Sequence, residues 1–168
     1  MKKKKPLLEF KALFLFPIIF LFLSCGYNLR TSIDLNQDFN YSVLYSESYL
    51  NNKLIDSLRL SNPNKTYLND IREDSEVIIK IINHSLTRYS AALGSGARTK
   101  EARLEYLLEI SLKLRSSNKE MEYQIRNSKN YSFNESNILS IEQEEEQITA
   151  DFINFSLNKI KLLSSRLK

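Results

Sequence analysis

Cys25 has the clearest chemical implication in the chain, because it is the only cysteine among 168 residues. A lone thiol has no disulfide partner, and an unmodified thiol is unfavourable in an oxidising compartment. Cys25 directly follows an apolar stretch and the small residue Ser24. This arrangement is typical of a cysteine that is acylated after cleavage on its amino side. A buried structural cysteine is the alternative interpretation.

The segment before Cys25 has the layout of a secretory signal peptide, with a lysine run at 2–5 and an apolar stretch at 12–23. A transmembrane anchor is the alternative, but a spanning helix needs roughly 20 apolar residues. This stretch is shorter and contains Pro17. We therefore predict a signal peptide at 1–24, a lipidated tether at 25–38 and a single domain at 39–168. Acyl chains on the cysteine would hold the domain at a membrane.

The net charge of +4 comes entirely from the predicted signal peptide. That segment holds five of the 24 basic residues and one of the 20 acidic residues, so 19 of each remain after Ser24. A domain without net charge lacks the electrostatic footprint of a nucleic-acid-binding protein. We expect no nucleic-acid partner.

Sequence motifs for catalysis or metal binding are absent. His84 is the only histidine, and no second histidine or further cysteine accompanies it to form a metal site. A triad through His84 and one of the many serines is the alternative, but no Gly-x-Ser-x-Gly elbow nominates a nucleophile. We expect no catalytic residue, no metal and no cofactor, although two carboxylates alone suffice for glycoside hydrolysis.

Two groups of basic residues suggest binding. Arg98, Lys100 and Arg103 follow the glycine-containing loop at 94–96, and Lys113, Arg115 and Lys119 form a second group. Clustered Arg and Lys on a sheet bind phosphates and acidic sugars. The alternative is that these side chains pair with the glutamates that alternate among them, Glu101, Glu105, Glu120 and Glu122.

The first half of the domain is predicted to contain a strand, a helix and a second strand. A weak strand pattern covers Asn40–Tyr49, and leucines at every fourth position predict a helix over Glu47–Leu60 that Ser46 or Ser48 caps and Asn62-Pro63 ends. The segment Glu76–Ala92 opens with five β-branched residues in six, which favours a strand that is buried on both faces.

A strict alternation follows, with apolar residues at every second position from Ala102 to Leu114. A helix is the alternative, but helical spacing from Leu104 leaves Tyr106 and Ile110 on other faces, so period two favours a strand. The segment Lys119–Phe133 continues the alternation, and the turn at 116–118 makes the pair an antiparallel hairpin.

The last element is a predicted amphipathic helix containing Ile138, Ile148, Phe152 and Ile160. Ser140 and Gln143 resemble a capping box. The acidic run over 142–146 is expected to be a solvated helix start rather than a metal site, because consecutive helical positions point in different directions. The element order predicts an α+β domain: a two-layer sandwich with a mainly antiparallel four-stranded sheet and two helices on one face.

The chain resembles the LptE family of lipopolysaccharide-assembly lipoproteins. The resemblance begins in Cys25-Gly26-Tyr27-Asn28-Leu29-Arg30 and includes the element order. It extends to Arg103–Leu107 at the start of the long alternating strand, and to Tyr131–Asn137 with Glu142–Ile148 before and within the last helix.

The resemblance implies a non-enzymatic plug within the lumen of LptD, an outer-membrane β-barrel, with one copy of each protein, that helps the barrel fold and delivers lipopolysaccharide to the outer leaflet. Gly26 stands where an aspartate retains many lipoproteins in the inner membrane, so the resemblance implies an outer-membrane location on the periplasmic side. Arg98 and Lys100 lie near one basic position of the family implicated in lipopolysaccharide contact, and Arg103 completes that cluster. A second such position falls in Ser140–Gln143, which contains no basic residue. The alternative function is a periplasm-facing lipoprotein that binds a soluble ligand in an apolar pocket or has an unrecognised hydrolase activity.

Overall fold

The computed structural model describes residues 39–94, 96, 98–117 and 120–167. The predicted signal peptide, Cys25 and the tether lie outside these residues, as does Lys119 of the second basic group. The described chain forms five strands and two helices in the following order: β1 (Tyr41–Leu44), α1 (Tyr49–Ser61), β2 (Thr66–Leu68), β3 (Val77–Leu93), β4 (Thr99–Leu114), β5 (Glu120–Ser132) and α2 (Ile138–Leu167).

The predicted α+β class is confirmed, but the sheet has five strands and is mixed rather than four-stranded and antiparallel. Its strand order is β2-β1-β3-β4-β5, and β1 is parallel to both of its neighbours. The missed strand, β2, has only three residues, which is too short to show a periodicity. The helix α1 between β1 and β2 makes their parallel pairing possible, because parallel neighbours need a crossover connection.

The strands β3, β4 and β5 form the antiparallel half of the sheet, as the alternating pattern predicts. In β4 the even-numbered residues from Ala102 to Leu114 are buried. The opposite face, which we call the open face, carries mainly polar side chains. Period two therefore identified both the strand and its buried side.

The prediction that β3 is buried on both faces is wrong. Val77, Ile79 and Ile81 are buried, whereas Lys80 is exposed and Ile82 is 49% exposed. The pairing with β4 shifts between Ile81 and Asn83, where β3 holds one extra residue. Such a bulge reverses the alternation of the residues that follow it. As a consequence, His84 lies on the helix-facing side.

The two helices pack on the helix-facing side of the sheet and complete one hydrophobic core. Leu54, Ile55 and Leu58 of α1 and Ile148, Phe152 and Ile160 of α2 are buried against it. Ser48 caps α1, since its hydroxyl accepts a hydrogen bond from the backbone N–H of Asn51 at 3.2 Å. None of the helices in the described ranges is both long enough and apolar enough to cross a membrane.

The predicted capping box at Ser140 and Gln143 is wrong, because the chain is already helical before these residues. Asn134 caps a 3-10 turn at Glu135–Asn137, and α2 continues from it at Ile138. The Asn134 side chain accepts a hydrogen bond from the Ser136 N–H at 3.1 Å. An asparagine followed by helical turns is thus the signal that sets the start of α2.

Candidate functional site

His84 belongs to a buried polar chain rather than to a catalytic triad. Its Nδ1 lies 2.7 Å from Asn51 Oδ1, and its Nε2 lies 2.8 Å from the Tyr106 hydroxyl. The Ser156 hydroxyl donates to Tyr106 Oη at 3.1 Å. Both ring nitrogens therefore have partners already, and Ser156 contacts Tyr106 rather than His84. This geometry leaves no place for a nucleophile that His84 would activate.

The hydrogen bonds of Asn51 show which atom donates and which accepts in this series of side chains. The Asn51 amide Nδ2 donates to the Ser46 carbonyl at 2.8 Å, so Asn51 Oδ1 must accept from His84. His84 therefore carries its proton on Nδ1 and accepts the Tyr106 hydroxyl at Nε2. Burial lowers the pKa of His84 to about 4 and raises the pKa of Tyr106 to about 12, so both groups are neutral at pH 7.

The acidic run at the start of α2 connects the helix to other elements. Arg88 on β3 forms an ion pair with Glu145 at 2.9 Å, and the Tyr131 hydroxyl donates to the same carboxylate. Glu146 accepts from the Tyr49 hydroxyl at 2.7 Å and from Lys53 on α1. The hydrogen bond from Lys53 is the main cause that lowers the pKa of Glu146.

The expectation of a solvated helix start is therefore wrong only for Glu145, which is half-buried. It holds for Glu142, Glu144 and Glu146, which are exposed. The two engaged carboxylates face different elements, as their positions on a helix require. Within the described ranges no group of three potential ligands is placed to hold a metal ion.

Arg98 and Lys100 lie at the end of the β3–β4 hairpin. They line an open depression of about 560 Å³ together with Phe133 and Asn134. The Phe133 N–H donates to the Lys100 carbonyl at 2.9 Å, which holds the approach to α2 beside the start of β4. We call this region, residues 93, 94, 96, 98–100 and 133–139, the basic end.

Three large apolar side chains are exposed at the basic end. Leu93, opposite Thr99 in the hairpin, is 63% exposed, and Ile138 and Leu139 in the first turn of α2 are 55% and 73% exposed. Sequence reasoning missed them because an apolar residue in an amphipathic pattern is expected to face the core. Positive charge and exposed apolar surface thus meet at one end of the sheet.

Arg103 is separated from Arg98 and Lys100 by the geometry of β4. It lies on the open face, where it forms an ion pair with Glu105 at 2.9 Å and lines a different depression of about 570 Å³. The predicted pairing of basic residues with alternating glutamates is thus found at Arg103. The three residues predicted as one cluster do not form one surface.

The second basic group lies at the other end of the sheet. Arg115 donates to the Arg72 carbonyl at 2.5 Å, and its backbone N–H donates to the Glu76 carbonyl. Lys113 is half-buried between Ile78 and Glu120 in neighbouring strands. These contacts give Arg115 a structural role in holding the 70–76 loop.

The fold is similar to those of solved bacterial lipoproteins. The chain is 20% identical in sequence to rare lipoprotein B from Shewanella oneidensis, and comparison with its crystal structure gives a TM-score of 0.57 over 76% of this chain and 97% of that one. It is 21% identical to the solution structure of uncharacterized lipoprotein B from Nitrosomonas europaea, with the same TM-score over 76% and 85%. It is 16% identical to the minor lipoprotein from Acinetobacter baumannii, with a TM-score of 0.50 over 76% of this chain and 92% of that one.

At these identities the solved structures establish the fold alone. No curated protein matches the sequence. The family model described as LptE, lipopolysaccharide-assembly, matches residues 31–155, which is most of the chain. The match begins before β1 and ends within α2, so it includes every strand, the basic end and the members of the polar chain other than Ser156. The protein therefore belongs to the LptE family.

Proposed function

We propose that the protein is a lipid-anchored outer-membrane lipoprotein that plugs the LptD β-barrel, one copy of each, and helps it assemble and deliver lipopolysaccharide to the outer leaflet. The observation that carries this proposal is the LptE family match over residues 31–155. The role requires no catalytic group, and both ring nitrogens of His84 already have hydrogen-bond partners. The protein is thus proposed to act by binding.

The open face of the sheet supports a position inside a wide barrel. Its side chains on β4 and β5 are mostly charged or polar, and they include both signs: Arg103, Glu105, Glu109, Glu122 and Arg126. The interior of a wide outer-membrane barrel is polar as well. A rigid sheet with such a face is suited to a lumen that it must fill without a hydrophobic seal.

The basic end supports a contact with lipopolysaccharide. Arg98 and Lys100 supply donors for phosphate groups, and the exposed Leu93, Ile138 and Leu139 supply apolar surface for acyl chains. The segment Ser140–Gln143 adds no basic residue and carries Glu142 instead. The proposed phosphate contact therefore depends on Arg98 and Lys100, and Arg103 is assigned to the open face.

The anchor is proposed to be acylated Cys25, released from the signal peptide at 1–24 and joined to the domain by the tether at 25–38. Labelling of cells with a fatty acid tests this directly. We expect incorporation into the chain and its loss in a Cys25→Ser variant, with the precursor retained. Incorporation that persists in this variant would contradict the assignment.

The barrel partnership is tested by extraction of the tagged full chain in detergent. We expect a much larger β-barrel protein to copurify in equal molar amount, and depletion in cells to leave misassembled barrel and less surface lipopolysaccharide. Recovery of the chain without a barrel, together with normal surface lipopolysaccharide after depletion, would overturn the proposal.

A soluble ligand or a hydrolase activity is less well supported. Such a function needs an enclosed pocket with convergent polar groups. The depressions at the basic end and on the open face are open, and the His84 side chain is committed to Asn51 and Tyr106. No observation on the described residues favours this alternative.

A further inference from the structure

The outer edge of β5 has an unusual combination of length and regularity. It is one of the two edges of the sheet, and unpaired edges attract other strands unless they are short, bulged or marked by proline or an inward-pointing charge. The opposite edge, β2, has three residues and follows Pro63 closely. β5 has 13 residues, contains no proline and pairs with β4 without a register shift.

The unprotected part of this edge is confined to one half of β5. The helix-facing residues Met121, Tyr123, Ile125 and Asn127 are uncharged, whereas the next one, Lys129, is a charge that pairs with Asp151 on α2 at 3.5 Å. An inward-pointing lysine is a common protection against strand addition. The free stretch is therefore 121–127, and Gln124 is its middle residue.

The charges on the open face are symmetric about the same residue. Glu122 and Arg126 flank Gln124, and both are exposed. Arg126 donates to Gln124 Oε1 at 3.0 Å, and neither charged residue belongs to an ion pair within the part of the chain that the structure describes. If two copies of β5 pair antiparallel with Gln124 opposite itself, each Glu122 faces Arg126 of the other copy.

The same register also matches the apolar side chains. Tyr123 faces Ile125 of the second copy on the helix-facing side, and the reciprocal pair repeats this contact. A two-fold interface must be self-complementary in this way. Opposite charges and aromatic–aliphatic pairs directly across two strands are both stabilising.

We propose that the 121–127 stretch of β5 pairs antiparallel with the same stretch of a second copy of this chain, centred on Gln124, so that two five-stranded sheets form one continuous sheet. The interface involves neither lipopolysaccharide nor the barrel. One copy fills each barrel in the proposed function, so the paired state belongs to molecules of the chain that are not in a barrel, and its test contains only the purified full chain in detergent.

Crosslinking tests the register. In the proposed pair the Gln124 Cβ atoms are about 5 Å apart, whereas those of Ser132, on the same face of the same strand, are about 50 Å apart. With a short bis-maleimide we expect Gln124→Cys to give at least tenfold more covalent dimer than Ser132→Cys. Both variants keep Cys25, so its contribution is equal. Equal yields, or no dimer from Gln124→Cys, would overturn the proposal.

Charge reversal tests the pairing itself by sedimentation equilibrium. Glu122→Arg or Arg126→Glu alone places like charges opposite each other twice, and we expect the dimer Kd to rise about tenfold. The double variant restores opposite charges, so its Kd should return to within about threefold of the original value. A double variant as weak as the single ones would show that these residues do not face each other.

Discussion

The rings of His84 and Tyr106 meet edge to face across β3 and β4, with centroids 5.1 Å apart and planes at 88°, while the Tyr106 hydroxyl reaches His84 Nε2 at 2.8 Å. This pair joins α1, through Asn51, to α2, through Ser156. A single hydrogen-bonded chain thus connects both helices through two neighbouring strands. Because its members are buried or half-buried, the loss of one leaves another without a partner.

Removal of the Tyr106 hydroxyl is expected to destabilise the fold. Tyr106→Phe keeps the ring in the core but leaves His84 Nε2 without a donor and Ser156 without an acceptor. We expect the free energy of unfolding in urea to fall by about 1–3 kcal/mol. Tyr89→Phe is the matched control, because Tyr89 is exposed and should change the value by less than about 0.5 kcal/mol. Equal effects of the two changes would contradict the hydrogen-bonded chain.

Stability should depend on pH through His84. Burial lowers its folded pKa to about 4 from an ordinary value of 6.5, so between these pH values the unfolded chain binds more protons. Stability is therefore fully present above pH 6.5 and falls as the pH approaches 4. Because His84 is only partly buried, we expect the free energy of unfolding to fall by about 2 kcal/mol, which is less than the full pKa shift would give.

The comparison with His84→Gln isolates this dependence from the carboxylates that titrate in the same range. The free energy of unfolding of both proteins should be measured at several pH values between 4 and 7. The difference between them should change by about 2 kcal/mol across that range. A constant difference would mean that His84 is accessible to protons in the folded protein.

The alternation of β4 predicts opposite outcomes for two neighbouring leucines. Leu108 is fully buried, whereas Leu107 lies on the open face. We expect Leu108→Ala to lower the free energy of unfolding by about 2–5 kcal/mol and Leu107→Ala to lower it by less than about 1.5 kcal/mol. Similar losses at both positions would indicate that the open face is covered in solution.

The same alternation explains what could be predicted from the sequence. Residues 102–114 follow period two without interruption, and residues 121–133 follow it except at Asn127 and Lys129, so strand identity, hairpin pairing and buried face could all be inferred. The bulge at Ile81–Asn83 has no signature in a run of β-branched residues, and it decides where His84 points. Parallel pairing of β1 and the three-residue β2 depend on tertiary contacts that no local pattern encodes.

The site was less predictable for a related reason. Arg98, Lys100 and Arg103 are close in sequence, but side chains on a strand alternate between its faces, and Arg103 lies on the open face, where it pairs with Glu105. Asn51, Tyr106 and Ser156 come together only after the helices pack. No spacing in the sequence links them, so the polar chain around His84 could not be inferred before the fold was known.

Glu145 is expected to stabilise the start of α2, in contrast to its neighbour Glu144. Glu145→Gln removes the ion pair with Arg88 and weakens the hydrogen bond from Tyr131, and we expect a loss of about 1 kcal/mol in urea unfolding. Glu144→Gln, at an exposed position, should change stability by less than about 0.5 kcal/mol.

The pKa of Tyr131 gives a second measure of the same contact. Burial is the main cause that raises this pKa to about 12, and the hydrogen bond to Glu145 adds to it. NMR titration of ring-labelled tyrosine should therefore show a lower pKa for Tyr131 in Glu145→Gln but not in Glu144→Gln. An unchanged value in both variants would contradict the contact.

Charge reversal at the basic end should separate the residues that the sequence grouped together. Arg98→Glu with Lys100→Glu places two negative charges beside Leu93, Ile138 and Leu139, where we propose that phosphate groups bind. Each lost charge-assisted contact costs about 1.5–3 kcal/mol, so we expect lipopolysaccharide binding by the full chain in detergent to weaken at least tenfold. Arg59→Glu with Lys80→Glu, two exposed changes outside the basic end, controls for net charge. Arg103→Glu should behave like this control, because Arg103 lies on the open face and pairs with Glu105. If Arg103→Glu weakens binding as strongly as the double change, lipopolysaccharide contacts the open face instead, and the assignment to the basic end is wrong.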